Sequence, residues 1–134
     1  MKHGKLMLFM LILLTLGLNS CRKDADNFVG SYNARDSWVL QGQSSYHDYS
    51  FTITASATDD SKVLLNGLGD MQGVAVEAIV SDKNLTIPQQ TVFYDGANIS
   101  LSGSGSITGV DLTISYSFQL STIVLNVNCS ATRL

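Results

Sequence analysis

A chain of 134 residues, 45% hydrophobic and 14% charged, is long enough to bury one core and too short for several domains. Eight lysines and arginines stand against eleven aspartates and glutamates, a formal charge of −3. That balance excludes the basic footprint that binding to nucleic acid or adsorption on an anionic membrane surface requires.

The N-terminal segment has the anatomy of an export signal. Lys2 and Lys5 precede an apolar run over 6–16, broken only by Thr15 and too short to span a bilayer comfortably. It closes on Leu18-Asn19-Ser20-Cys21, which looks like a bacterial lipobox, although Asn19 departs from the small or aliphatic residue usual two places before the cysteine. The motif predicts cleavage before Cys21, which becomes the new N-terminus and is acylated, palmitate included. Two or three acyl chains anchor a protein stably, at about 0.8 kcal/mol per buried methylene. The expected organisation is a signal peptide over 1–20, a lipidated cysteine and tether over 21–29, and a single β-barrel domain over 30–134. The expected location is the cell envelope, lipid-anchored at the outer membrane on its periplasmic or surface side. Cleavage leaves 114 residues in which six basic side chains (Arg22, Lys23, Arg35, Lys62, Lys83, Arg133) face eleven acids, a formal charge of −5. Anchorage then rests on lipid alone.

The mature part reads as strand after strand. Candidate strands fall at 31–40, 48–58, 62–67, 73–80, 85–94, 98–108, 110–120 and 122–132, with 42–47 as a loop. Tyr49, Phe51, Ile53, Ala55 and Ala57 alternate with serines and threonines, as do Val110, Leu112, Ile114, Tyr116, Phe118 and Leu120. A helix would bury those hydroxyls, whereas an antiparallel strand segregates them onto one face. Turn chemistry at Asp59-Asp60-Ser61, Ser81-Asp82-Lys83-Asn84, Asp95-Gly96 and Thr108-Gly109 punctuates the runs. Pro88, the only proline, predicts an edge, bulge or bend in the fifth strand, and Gly103 with Gly105 a bulge or a corner where the sheet curls. Short connections let neighbours pair in meander order. The fold class is therefore all-β, about eight antiparallel strands, closed as an up-and-down barrel or stacked as a two-sheet sandwich.

Chemistry is sparse. His47 is the only histidine beyond the signal segment, so neither a histidine metal cluster nor a multi-histidine relay is expected. Tyr46-His47-Asp48-Tyr49 sets an imidazole beside a carboxylate and two phenols, yet neighbours on a strand face opposite ways; in a loop they would line a rim. Asp59 and Asp60 read as turn formers without the spaced oxygen ligands of a calcium loop. Gly103-Ser104-Gly105 is too short for a nucleophile elbow. Glu77 is expected on the solvent side. With Cys21 acylated, Cys129 has no disulfide partner; its parity with Ile123, Leu125, Val127 and Ala131 makes it a buried apolar residue. No catalytic residue, cofactor or metal is expected, and the protein reads as a non-enzyme.

Phe28-Val29-Gly30-Ser31-Tyr32 at the first strand and Arg133 at the end of the last resemble a lipocalin-type (calycin) closure. In that family a Gly-x-Trp motif lies under a basic side chain from the final strand; here Tyr32 replaces the tryptophan and Trp38 follows six residues later. The resemblance favours the barrel over the sandwich and names Tyr32, Trp38 and Arg133 as closure residues. The plan is also similar to the small β-rich envelope lipoproteins of Bacteroidetes-type bacteria, in which Lys23-Asp24-Ala25-Asp26 would resemble a surface-export signal. Eight strands enclose a lumen just large enough for side chains or one small apolar ligand, which Phe51, Tyr116 and Phe118 would line. The other reading is a filled domain on the outer membrane, serving a structural role or binding an envelope protein.

Overall fold

The computed structural model describes residues 23–134. Cys21 and the signal segment lie outside the described residues. Eight antiparallel strands close into a single barrel in simple chain order. They are β1 (Gly30–Leu40), β2 (Gln43–Ala55), β3 (Lys62–Asn66), β4 (Ala75–Ser81), β5 (Asn84–Tyr94), β6 (Ala97–Thr108), β7 (Asp111–Leu120) and β8 (Ile123–Arg133). The sheet is continuous, so the barrel and not the sandwich is the architecture.

β2 begins and ends away from its expected places. Residues 43–47 belong to β2 rather than to a loop, because the chain reverses at Gln41-Gly42, with φ of 52° and 77°. That pair makes the same left-handed turn as Asp95-Gly96, with φ of 51° and 77°. β2 then stops at Ala55, since Ser56 and Asp59 accept and donate within the following turn: the Ser56 hydroxyl accepts from the Thr58 and Asp59 amides, and the Asp59 carboxylate accepts from Ser61.

Pro88 produces a bulge. The β5–β6 register shifts between Ile87 and Gln90, and Gln90 repairs the gap toward β4. Its amide accepts from the Glu77 backbone N–H at 3.0 Å and donates to the Glu77 carbonyl at 2.8 Å, standing in for a strand residue. Glu77 itself points outward and pairs with Lys62 at 2.9 Å. Gly103 and Gly105 mark a tight approach without a bulge, because β6 and β7 pair continuously from Ser100↔Gln119 to Thr108↔Asp111. A Cβ on Gly103 would lie 2.5 Å from the Ser115 carbonyl oxygen and 2.7 Å from the Tyr116 Cβ.

The two ends of the barrel differ. The base is shut by a 3-10 turn, Asp24–Asn27, whose Ala25 is buried together with Phe28 just beyond it. Tyr32 is fully buried there, stacks on Phe51 at 5.4 Å and donates its hydroxyl proton to the Phe28 carbonyl at 2.6 Å. Arg133 pairs in register with Tyr32 and donates to the carbonyls of Asn27 at 2.9 Å and Gly109 at 3.1 Å. Gly30 leaves room for this arginine: a Cβ would sit 2.7 Å from its Cδ. Above the base, Ile53, Leu65, Val76, Ile87, Leu101 and Leu112 fill the lumen. The outer face is rich in serine, threonine and asparagine, the reverse of the apolar band of a membrane-spanning barrel.

The close β6–β7 approach yields a stability prediction. Gly103→Ala should cost about 1–3 kcal/mol, the range for overpacking a closed interior. Gly42→Ala, where a Cβ meets no atom within 4 Å and only the left-handed φ opposes it, should cost less. Urea unfolding of both variants decides the order; an equal or smaller loss at Gly103 would contradict the tight approach.

Candidate functional site

β1 carries Tyr32, Ala34, Asp36 and Trp38 on its inward row. Asp36 is thus forced into the lumen by alternation, and at 4% exposure it is the buried charged residue of the described chain. Burying a lone carboxylate is costly unless donors surround it. Two phenols supply them: Tyr49 donates to Oδ1 at 2.8 Å and Tyr116 donates to Oδ2 at 2.5 Å. Tyr49 in turn accepts from the Gly69 backbone N–H at 3.0 Å. Its single proton goes to Asp36, so the Cys129 thiol, 3.8 Å away, can only donate toward it. Three strands and the β3–β4 loop therefore meet at one carboxylate.

Burial, reinforced by the nearby Asp36 carboxylate, pushes the Tyr116 hydroxyl well above its ordinary range. Tyr49 is raised likewise, first by burial and then by Cys129 and Asp36. Both phenols stay protonated donors at any physiological pH. The Cys129 thiol is pushed up by burial and then by Asp36, which makes it a poor nucleophile. At the base, burial raises the Tyr32 hydroxyl and Arg133 opposes the rise.

Over this cluster the lumen opens into a cup of about 190 Å³. Asp36 and Tyr116 form its floor, Trp38, Phe118, Leu125 and Val127 its walls, and His47 and Gly69 its rim. His47 Nε2 lies 2.8 Å from Asp70 Oδ2, tying β2 to the β3–β4 loop. The His47 ring, and then the Gln72 amide, hold the Asp70 carboxyl below the usual carboxylate range. Asp48, the next residue, faces outward and binds Arg35 in bidentate fashion at 2.6 and 2.9 Å. His47 and Asp48 thus act on opposite faces, as strand alternation requires. A larger hollow of about 510 Å³ lies on the outer wall around Asn33, Arg35 and Asp48, but it is a solvent-facing depression without an enclosed floor. Among the described residues no three histidine, cysteine or acidic side chains converge as metal ligands.

The residues expected at a site separate by depth. Tyr116 and Phe118 line the cup, whereas Phe51 lies deeper, 3% exposed and packed between Tyr32 and Tyr49. Tyr32 and Arg133 meet at the base. Trp38, expected beside them, stands at the other end of β1, because six residues along a strand carry it from the base to the mouth. Asp36 is not among the residues expected at a site, and Tyr49, expected only on a loop rim with its neighbours, lies inside the barrel. The signal for Asp36 is parity: it shares the inward row of Tyr32, Ala34 and Trp38.

Tyr116→Phe should lower the unfolding free energy by about 1.5–3 kcal/mol, the range for a hydrogen bond to a charged group. Tyr46→Phe, on the exposed face, should stay within about 0.5 kcal/mol of the wild type. Denaturant unfolding of the pair checks this, and a neutral Tyr116→Phe would remove the cluster from the account of stability.

No protein-family model matches the chain, and no curated protein matches it, so the reading of this site rests on its own geometry.

Proposed function

We propose that the protein is a non-catalytic cell-envelope lipoprotein whose barrel binds a small, largely apolar molecule at its mouth. The observation that carries this reading is the cup itself: a walled recess of about 190 Å³ above an otherwise filled lumen. Dry cavities of about 150 Å³ take up benzene, so the recess suits a single-ring compound and is too small for a typical drug-sized ligand of 300 Å³ or more. The smaller scale follows from the depth of the filled base. A protonated thiol, two protonated phenols and a carboxylate give no nucleophile–base pair, which supports binding over catalysis.

Anchorage through Cys21 fits the same geometry. The described chain starts at the base, where Lys23 pairs with Asp60 at 3.1 Å and Asn27 donates to the Asp82 carbonyl at 3.0 Å. A lipid joined to Cys21 would hold the base toward the membrane and the mouth away from it. A second reading is favoured by the rim, where Leu40, Ile123 and Val124 are 52%, 60% and 55% exposed on neighbouring hairpin tips. An apolar rim of this kind suits an envelope-protein partner.

Leu125→Trp, at a partly exposed wall position, should fill the cup and abolish binding of benzyl alcohol in ligand-observed NMR while leaving the fold intact. Retained binding by a folded variant would place the ligand elsewhere. For the anchor, a palmitate analogue fed to cells should label the natural chain and not Cys21→Ser; label on the serine variant would refute lipidation at Cys21.

A further inference from the structure

The cup has an unusual electrical character for an apolar recess. Its floor is Asp36, whose two oxygens accept from the Tyr49 and Tyr116 hydroxyls. No lysine or arginine lines the cup. The ion pairs among the described residues are Lys23–Asp60, Arg35–Asp48 and Lys62–Glu77, and His47 hydrogen-bonds Asp70 at the rim; none of these involves Asp36. Arg35, its chain neighbour, is committed to Asp48 outside the barrel, and Arg133 serves the base. The phenols satisfy the carboxylate's acceptors but do not neutralise its charge. Trp38, Tyr116 and Phe118 add aromatic rings around the same space. Ring faces carry negative electrostatic potential and attract cations.

We propose, building on the cup as a ligand site, that its ligand is a small organic cation: an ammonium head on an apolar body. The head lies at Asp36 and the body against Trp38 and Phe118. A neutral molecule of the same shape would gain only the apolar walls. An anion would meet the carboxylate in a low-dielectric recess and be repelled. A purely mechanical role for Asp36, pinning β1 to β2 and β7, would be met as well by a neutral acceptor such as asparagine.

The test compares protonated benzylamine with its near-isostere benzyl alcohol at neutral pH, using the full folded domain and calorimetry or chemical-shift titration. Wild type should bind the ammonium about tenfold or more tightly than the alcohol, given a buried charge and desolvated cation–π contacts. Asp36→Asn should reduce that ratio to about one while changing the alcohol affinity little, as expected for loss of the charge term alone. Should Asp36→Asn fail to fold, Trp38→Leu serves in its place and should weaken the ammonium more than the alcohol. Equal affinities for the two probes in the wild type would overturn the cation inference and leave the apolar cup standing. Binding of neither probe would overturn both.

Discussion

Pairing of β1 with β8 joins the two ends of the chain, and the rest of the molecule depends on it. The other seven pairings are sequential hairpins or short loops whose closure costs little entropy. This one brings Tyr32 opposite Arg133 and runs through six residue pairs to Ser37↔Asn128. Without it β1 and β8 would be exposed edges, open to pairing with other chains. It also brings Tyr116 to Asp36 across 80 residues of sequence. Arg133 secures the seam's lower end by donating to carbonyls of the N-terminal segment and the β6–β7 turn. The closure and the polar cluster are therefore one construction, not two.

Inside that construction, two opposing terms meet at Asp36. Removing a carboxylate from water costs several kcal/mol even after relaxation. Charge-assisted hydrogen bonds return roughly 1.5–3 kcal/mol each, so two phenols offset much of the cost without cancelling it. A neutral side chain of the same shape would spare the barrel this conflict. The core elsewhere is resolved in the simplest way, with aliphatic and aromatic residues in the lower lumen and every buried side-chain polar atom of the described residues partnered. A buried acidic side chain without a basic partner, at the floor of an apolar-walled recess, is thus a local exception in a barrel that avoids such exceptions.

Much of this was legible in the chain. Eight strands, meander order, the outward Glu77, the buried Cys129 and the irregularity at Pro88 follow from period-two alternation and turn residues, which act locally. The β2 start was not, because Gln41-Gly42 lacks the asparagine or aspartate that usually announces a left-handed turn. Closure residues were legible by half: Tyr32 and Arg133 meet, while Trp38 shares their strand row but lies a barrel's height away. Alternation reports which face a side chain occupies and carries no information about depth. The same limit separates Phe51 from Phe118, one sealed in the lower lumen and one at the cup. Asp36 shows the converse. Its parity was readable from Tyr32, Ala34 and Trp38, but its meaning required Tyr49, which the first hairpin supplies, and Tyr116, which only the closed register brings to it.

The route into the cup follows from where pairing stops. β3 and β4 span five and seven residues, so the wall on that side is low, and the β3–β4 loop completes it. That loop is not a free lid. Leu68 and Met71 are buried at 0% and 3%, the Gly69 amide is held by Tyr49, and Asp70 is held by His47. On the opposite side the β1–β8 pairing ends at Ser37↔Asn128, although β1 runs on to Leu40 and β8 starts at Ile123. The two strands part there, leaving a hollow of about 410 Å³ between Trp38, Val39, Asn126 and Asn128. Trp38 borders both this hollow and the cup. Trp38 therefore stands where the unpaired end of the seam meets the cup, and the paired end holds the barrel shut.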